Sequence, residues 1–338
     1  MKIKIFCTLG PASLNRDVIE GLDRRGVDLF RVNLSHTPPE SVETVIALIR
    51  RHSSTPICLD TQGAQVRSGR MAPDVALTEG DEITLTAEAV VGTHTLIPLW
   101  PPAIFGLLDA GSKVSIDFDA AMVEVTDVGE DHAAGVVVRG GRVRSNKAAT
   151  VDPVIDLPPL SQDDRAAVAA GARHGIAHYA LSFAAGAGHV AQLRALAPAG
   201  SHIIAKIESR GGVLNMDSII HAADSVLIDR GDLAREIPIE AVPYYQKAIA
   251  RRANRWNRPV YVATNLLESM IVSRIPTVAE ANDIANTLLD GVHGLILAAE
   301  TAIGIDPVGA VDMVLRAVRA FERSTEGQLP DEDSALVK

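Results

Sequence analysis

The chain has 338 residues, with 42 acidic against 32 basic side chains, and its formal net charge of -10 argues against a nucleic-acid platform. Apolar residues make up 47% and charged ones 22%, which is material for a large core plus a satellite domain and excludes disordered and fibrous classes. No run approaches the roughly 20 apolar residues of a membrane span, and MKIKIFCTLG reads as a strand with no signal-peptide cleavage site, so a cytoplasmic protein is expected.

In chain order, apolar runs bounded by turn residues alternate with stretches of helical period. Residues 4–9 (KIFCTL) read as a strand and 13–25 as a helix; strand 28–35 (DLFRVNLS), helix 39–51 and strand 56–61 (PICLDT) follow. From 68 to 155 the pattern changes to short alternating runs rich in Val, Thr, Gly and Asp (DEITLTAEA, AAMVEVTDV, HAAGVVVRGG), an inserted all-β domain. Helix 161–174, with Ser161 as its N-cap, restores the alternation. After it come strand 178–183 (HYALSF), helix 187–197, strand 202–208 (HIIAKIE), helix 211–223, strand 225–230 (SVLIDR) and helix 240–256. Strand 259–264 (PVYVAT), helix 277–290 capped by Thr277, strand 294–299 (GLILAA) and helix 307–322 opening at Pro307 complete the series.

Eight strands separated by helices predict an α/β fold, a (β/α)8 TIM barrel with a small all-β lid domain inserted after the third strand. The barrel takes residues 1–67 and 156–325, the lid 68–155, and 326–338 is a loose acidic tail. Cys7 and Cys58 sit in apolar runs and read as buried thiols rather than as disulfide partners or metal ligands.

In such a barrel the chemistry collects where the strands end. The second strand ends in Arg31, Asn33, Ser35 and His36, the third in Asp60 and Thr61, and the fifth carries Lys206 and Glu208. The sixth ends in Arg230, Gly231 and Asp232, the seventh in Thr264 and Asn265, and the eighth leads to Glu300 and Thr301. Only 7 of the 32 basic residues are lysines, so Lys206 inside an apolar strand stands out. Glu208 and Asp232 beside it suit a hard divalent cation, and a rim network of ion pairs would use the same residues. Asn33, Ser35, Asp60 and Thr61 suit either a weakly bound monovalent cation or a hydrogen-bonded loop scaffold. Arg31 and Arg67 offer forks for phosphate oxygens, or plain surface charge.

Eight strings lie in register along the chain: TLGPAS (8–13), FRVNLSH (30–36), LDTQGAQVR (59–67), AKIESRGGV (205–213), DRGDLAREIP (229–238), ATNLLESMI (263–271), PTVAEANDIAN (276–286) and AAETAIG (298–304). Together with a β domain inserted after the third strand, they resemble the pyruvate kinase family from residue 1 to about 320. The resemblance implies transfer of a phosphoryl group between phosphoenolpyruvate, or a close 2-oxoacid enol phosphate, and ADP through a metal-stabilised enolate. It gives catalytic roles to Lys206, Thr264 and Arg31, and substrate contacts to Gly231, Asp232, Thr264, Ser182 and Asp229. Nucleotide contacts fall to Asn33, His36, Arg67 and Lys147, and Asp119 is a weak match to the family's lid aspartate. Glu208 and Asp232 would hold Mg²⁺ or Mn²⁺, and Asn33, Ser35, Asp60 and Thr61 would hold K⁺.

Several positions depart from the family pattern. Asp229 stands where the family usually has alanine, Gln62 and Gln65 replace a lysine and a glutamate, and Ala298 replaces a serine ahead of Glu300. Asp229 is thus expected to repel the usual substrate, to add a metal ligand or to make room for a polar substituent, and the glutamine at 65 leaves K⁺ dependence open. The sequence ends after the eighth barrel helix, so no C-terminal regulatory domain, no sugar-phosphate regulation and a homodimer are expected. Expected partners are small molecules only, without nucleic acid or membrane. A metal-dependent pyruvate-enolate lyase or aldolase and a non-catalytic metabolite-binding homologue are the alternatives. Lid hinges are expected near Gly69 and Pro153.

Overall fold

The computed structural model describes residues 2–63, 65–117, 120–155 and 157–325. The expected tail at 326–338 and Asp119 lie outside these residues. Eight parallel strands close into a barrel: Lys4–Leu9, Leu29–Asn33, Ile57–Asp60, His178–Leu181, His202–Lys206, Ser225–Asp229, Val260–Ala263 and Gly294–Leu297. All eight fall within the expected runs. Seven of them stop at least one residue earlier at the C-terminal end, because the chain there turns away to present side chains at the rim. Phe183, Thr264 and Asn265, just past the fourth and seventh strands, have φ of 51, 67 and 54°. Those left-handed conformations end a ladder abruptly.

Pairing runs in chain order around the barrel, with the first strand closing on the eighth through Lys4↔Gly294 to Cys7↔Leu297. Thr301 Oγ1 donates to Thr8 O (2.8 Å) across this seam, and a Cβ at Gly10 would stand 2.7 Å from Ala302 O, so only glycine fits there. Strands covered on both faces are apolar throughout rather than alternating. Phe6, Leu29, Cys58, Ala180, Ile204, Leu227, Tyr261, Ala263 and Ile296 fill the barrel interior, and the Phe6 and Tyr261 rings meet at 4.7 Å. The other strand faces, Cys7 included, pack against the helices in the larger core. Both thiols are buried and free, and burial pushes both well above the usual cysteine range.

Ser161 and Thr277 cap their helices as expected, each within a capping box, with Asp164 and Glu280 respectively. The expected helix 211–223 is broken into Arg210–Leu214 and Met216–Ala222. Asn215 Nδ2 donates to Gly211 O (3.1 Å), and two glycines in the preceding turn weaken the helix, so side chain and backbone compete at this point. Two short helices not read from the sequence, Arg230–Glu236 and Ala299–Ala302, begin directly after the sixth and eighth strands.

The insertion forms its own compact unit, Gly63–Pro159, a few residues wider than 68–155; Gly69 and Pro153, the expected hinges, both fall inside it. It widens because Arg67–Ser68 already pairs with Leu99 and Trp100. Seven strands form its sheet, whose two ends meet through the bridge Arg67↔Ala148 and Ala149 N–H to Val66 O (2.8 Å). Its separate core includes Leu85, Ile97, Leu99, Val114 and Val123. Among the described residues no helix is long and apolar enough to cross a membrane.

Candidate active site

Lys206 is the last residue of the fifth strand, and its side chain is buried at the barrel mouth. Its Nζ donates to Ser182 Oγ (3.1 Å) and lies 3.0 Å from Glu208 Oε2, 3.6 Å from Asp60 Oδ2 and 3.7 Å from Asp229 Oδ2. Burial alone would favour the neutral amine, but Asp60, Glu208 and Asp229 outweigh it and hold the ammonium well above the usual lysine range. Arg31, from the second strand, is equally buried: Nε donates to Asp60 Oδ2 (2.5 Å), NH2 pairs with the same oxygen, and NH1 donates to Thr8 Oγ1 (3.0 Å). Its charge persists for the same reason, with burial opposed by Asp60, Asp229 and Glu208. Asp60, fully buried, therefore joins two cations from different strands, and its Oδ1 accepts from Ser182 Oγ (3.2 Å).

Glu208 lies two residues past the end of its strand, where Phe183 N–H donates to its Oε1 (2.9 Å). The other oxygen, Oε2, is buried and accepts no hydrogen bond, though the Lys206 ammonium lies 3.0 Å away as its ion-pair partner. Burial pushes this carboxyl up to about 8, opposed by Lys206 and reinforced by Asp232, Asp229 and Asp60. Asp229 ends the sixth strand. Burial there is overridden by Lys206, Arg31 and the Thr264 hydrogen bond, and its carboxyl stays below the usual range. Among the described residues, Glu208, Asp229 and Asp232 are the only acidic group whose ligand atoms all lie within 4.8 Å of one another.

Thr264 faces Asp229 from the next strand. Its Oγ1 accepts from Gly231 N–H (2.7 Å) and has two acceptors in reach, Asp229 Oδ1 (3.0 Å) and Ala263 O (2.6 Å), for a single proton. Arg230 fixes this turn from below: Nε and NH2 donate to Thr264 O (3.1 and 2.8 Å), NH2 also to Asn265 O (2.9 Å), and NH1 to Asp283 Oδ1 (2.9 Å). This role of Arg230 is not legible in the sequence, since its partners lie more than thirty positions away. Glu300 likewise serves structure, accepting Leu267 N–H (3.0 Å) and Ala298 N–H (2.8 Å) on its two oxygens.

Arg31, Asp60, Ser182, Lys206, Glu208, Asp229, Gly231, Asp232 and Thr264 thus meet at one end of the barrel. Asn33 is turned to its own loop, its Oδ1 accepting Ser35 N–H (3.0 Å), and Thr61 Oγ1 accepts Ser182 N–H (3.0 Å). Ser35 and His36 are exposed and line a cleft of about 620 Å³ with Gln62, Gln162 and Asp163. Arg67 and Lys147 belong to the inserted unit, where Ser68 N–H donates to Lys147 O (2.8 Å) and Arg67 NH1 reaches Asn146 O (3.5 Å).

A closed parallel barrel with buried cations and clustered carboxylates at the strand ends defines a (β/α)8-barrel enzyme. The family model described as "Pyruvate kinase, barrel domain" matches residues 1–311. Pyruvate kinase of Methylorubrum extorquens is 36% identical over 330 residues, covering 95% of this chain and 69% of that protein. Pyruvate kinase of Geobacillus stearothermophilus is 37% identical over 340 residues, covering 95% and 58%. Among solved structures, a pyruvate kinase from Cryptosporidium parvum superposes with a TM-score of 0.85 at 29% identity, covering 98% of this chain and 73% of that one. The chain belongs to the pyruvate kinase family and is a pyruvate kinase-like phosphotransferase.

Proposed function

We propose that this chain transfers a phosphoryl group between phosphoenolpyruvate, or a close 2-oxoacid enol phosphate, and ADP at the mouth of its barrel. The observation that carries the reading is Lys206: a buried ammonium, kept charged by three carboxylates, beside a second buried cation, Arg31. Phosphoryl transfer needs fixed positive charge more than covalent help. Lys206 Nζ neutralises the transferring group and the enolate oxygen left behind, and Arg31, which shares Asp60 Oδ2 with Lys206, meets phosphate oxygens beside it. The turn at Gly231 and Asp232 and the Thr264 hydroxyl border the substrate carboxylate together with Ser182 and Asp229, the Gly231 N–H leaving Thr264 Oγ1 (2.7 Å) to meet it. Thr264 Oγ1, with one proton and two acceptors, can reorient that proton toward the enolate carbon. Asn33, His36, Arg67 and Lys147 are the proposed nucleotide contacts.

A divalent cation suits Glu208 and Asp232, because Glu208 offers a buried carboxylate oxygen without a hydrogen bond and hard cations take oxygen ligands. When bound, Mg²⁺ or Mn²⁺ supplies positive charge beside the transferring phosphoryl group. The K⁺ reading of Asn33, Ser35, Asp60 and Thr61 draws less support, since Asp60 is committed to Arg31 and Ser182 and Thr61 to the Ser182 backbone.

Phosphorus NMR of the protein with Mg²⁺, K⁺, ADP and phosphoenolpyruvate tests the proposal. ATP signals are expected, with a loss of about 10³-fold or more in rate for Lys206→Met. No ATP from the unaltered chain, with Mg²⁺ or Mn²⁺ and K⁺ or Na⁺, overturns it.

A further inference from the structure

We propose that Asp229 is a third carboxylate of the divalent-cation site, so that this chain presents Glu208, Asp229 and Asp232 to one ion. The inference rests on the phosphotransferase reading and concerns a side chain that stands where alanine is expected.

The charge count at the mouth is the first argument. Arg31 and Lys206 are the buried cations there, and Lys206 lies within 4 Å of Asp60, Glu208 and Asp229 alike. Asp229 is a third buried carboxylate facing these two cations, while Asp232, nearer the rim, pairs with Arg235 (2.7 Å). With three buried carboxylates against two buried cations, a further cation is the natural complement.

Geometry is the second argument. One ligand oxygen from each of the three acids lies within 4.8 Å of the others, and Glu208 Oε2, fully buried, has no hydrogen bond, with the Lys206 ammonium 3.0 Å away as its ion-pair partner. Each acid is also pinned through an oxygen by a protein donor: Phe183 N–H on Glu208 Oε1 (2.9 Å), Thr264 Oγ1 on Asp229 Oδ1 (3.0 Å) and Arg235 NH1 on Asp232 Oδ1 (2.7 Å). Donors that hold a carboxylate in this way orient it toward an ion. Asp229 is not needed to hold Lys206, whose Nζ has nearer partners in Glu208 (3.0 Å) and Ser182 (3.1 Å) than in Asp229 (3.7 Å). A third anionic ligand raises affinity for the ion in the absence of substrate, and it lowers the positive charge left for an incoming anion.

The test is a Mn²⁺ titration of the full chain without substrate, read by the electron paramagnetic resonance of the free ion. Asp229→Ala and Asp229→Asn are compared with the unaltered protein, Glu208→Gln serves as the reference, and melting curves confirm folding. Asp229→Asn keeps the shape of the side chain and an acceptor for Thr264, so it decides the matter if Asp229→Ala does not fold. The dissociation constant is expected to rise at least roughly tenfold in the Asp229 variants, as loss of a metal-site partner typically causes. Unchanged Mn²⁺ affinity in Asp229→Asn overturns the inference, even if the KM for phosphoenolpyruvate falls, since Asp229 then acts on the substrate alone. Weakened Mn²⁺ binding by the variants, in a protein that forms no ATP, sustains the inference and overturns the phosphotransferase reading instead.

Discussion

Arg230 gives three hydrogen bonds to the turn that follows the seventh strand, all to the carbonyls of Thr264 and Asn265, and a fourth to Asp283 in the helix Val278–Leu289. Thr264 and Asn265 are held at positive φ, a conformation that a β-branched threonine adopts only when its surroundings impose it. Arg230→Met should therefore relax the turn and displace the Thr264 hydroxyl, lowering kcat by about 10²-fold on the scale of losing a placed donor. The Mn²⁺ affinity should change little; a kcat equal to that of the unaltered enzyme would show that the turn holds without the clamp. Residue types at strand ends were legible in the sequence: Lys206, Glu208, Asp60 and Arg31 were picked out by charge in apolar surroundings. Their partnerships were not. That Asp60 joins Arg31 to Lys206 depends on the placement of the second, third and fifth strands around a closed barrel, which local pattern does not encode. Asp229 was visible as an odd residue, but its convergence with Glu208 and Asp232 follows only from the sharp turn into Arg230–Glu236.

Among the elements, the strands were the easiest to read, because a strand buried on both faces is a short apolar run with turn residues at its ends. Helices were legible where a cap announces them and illegible where a side chain competes with the ladder, as Asn215 does. The two capped helices also differ in what their caps do. Asp164 in the Ser161 box also accepts Gln62 N–H (2.7 Å), holding the chain just after the third strand. Glu280 takes four donors, the backbone and hydroxyl of both Ser269 and Thr277, and so ties the turn Glu268–Ile271 to the helix Val278–Leu289. Ser161→Ala should cost about 1 kcal/mol, the usual effect of losing an N-cap. Glu280→Ala should cost more, roughly 2–3 kcal/mol, because bonds to a charged acceptor are stronger and two elements lose their tie. Urea unfolding at constant m would check the order; equal losses would mean that the Ser269 bonds contribute nothing.

At the scale of the whole molecule, the end of the barrel away from the site collects histidines. His178 and His202 open the fourth and fifth strands, their rings 5.7 Å apart, and His293 precedes the eighth. Burial lowers all three below 6.5, and Lys4 lowers each further, while Asp224 pulls His202 the other way. The sign follows directly: below pH 6.5 the unfolded chain takes up protons that the folded barrel resists, so this contribution to stability is complete above pH 6.5 and is lost as pH falls through the folded values. The urea midpoint should start to fall below about pH 6.5, and Lys4→Gln should make the fall shallower. An identical pH profile in that variant would rule out Lys4 as a source of the depression. The seam between the first and eighth strands has a further consequence, one of timing. The Thr301–Thr8 contact joins residues 293 positions apart. At about 5–20 residues per second on the ribosome, the first strand waits roughly 15–60 s for its second neighbour to be synthesised. For that interval one edge of an apolar strand is an open template for pairing with other nascent chains. Translation speed and chaperone cover during that wait are therefore expected to affect the yield of closed barrel in a cell.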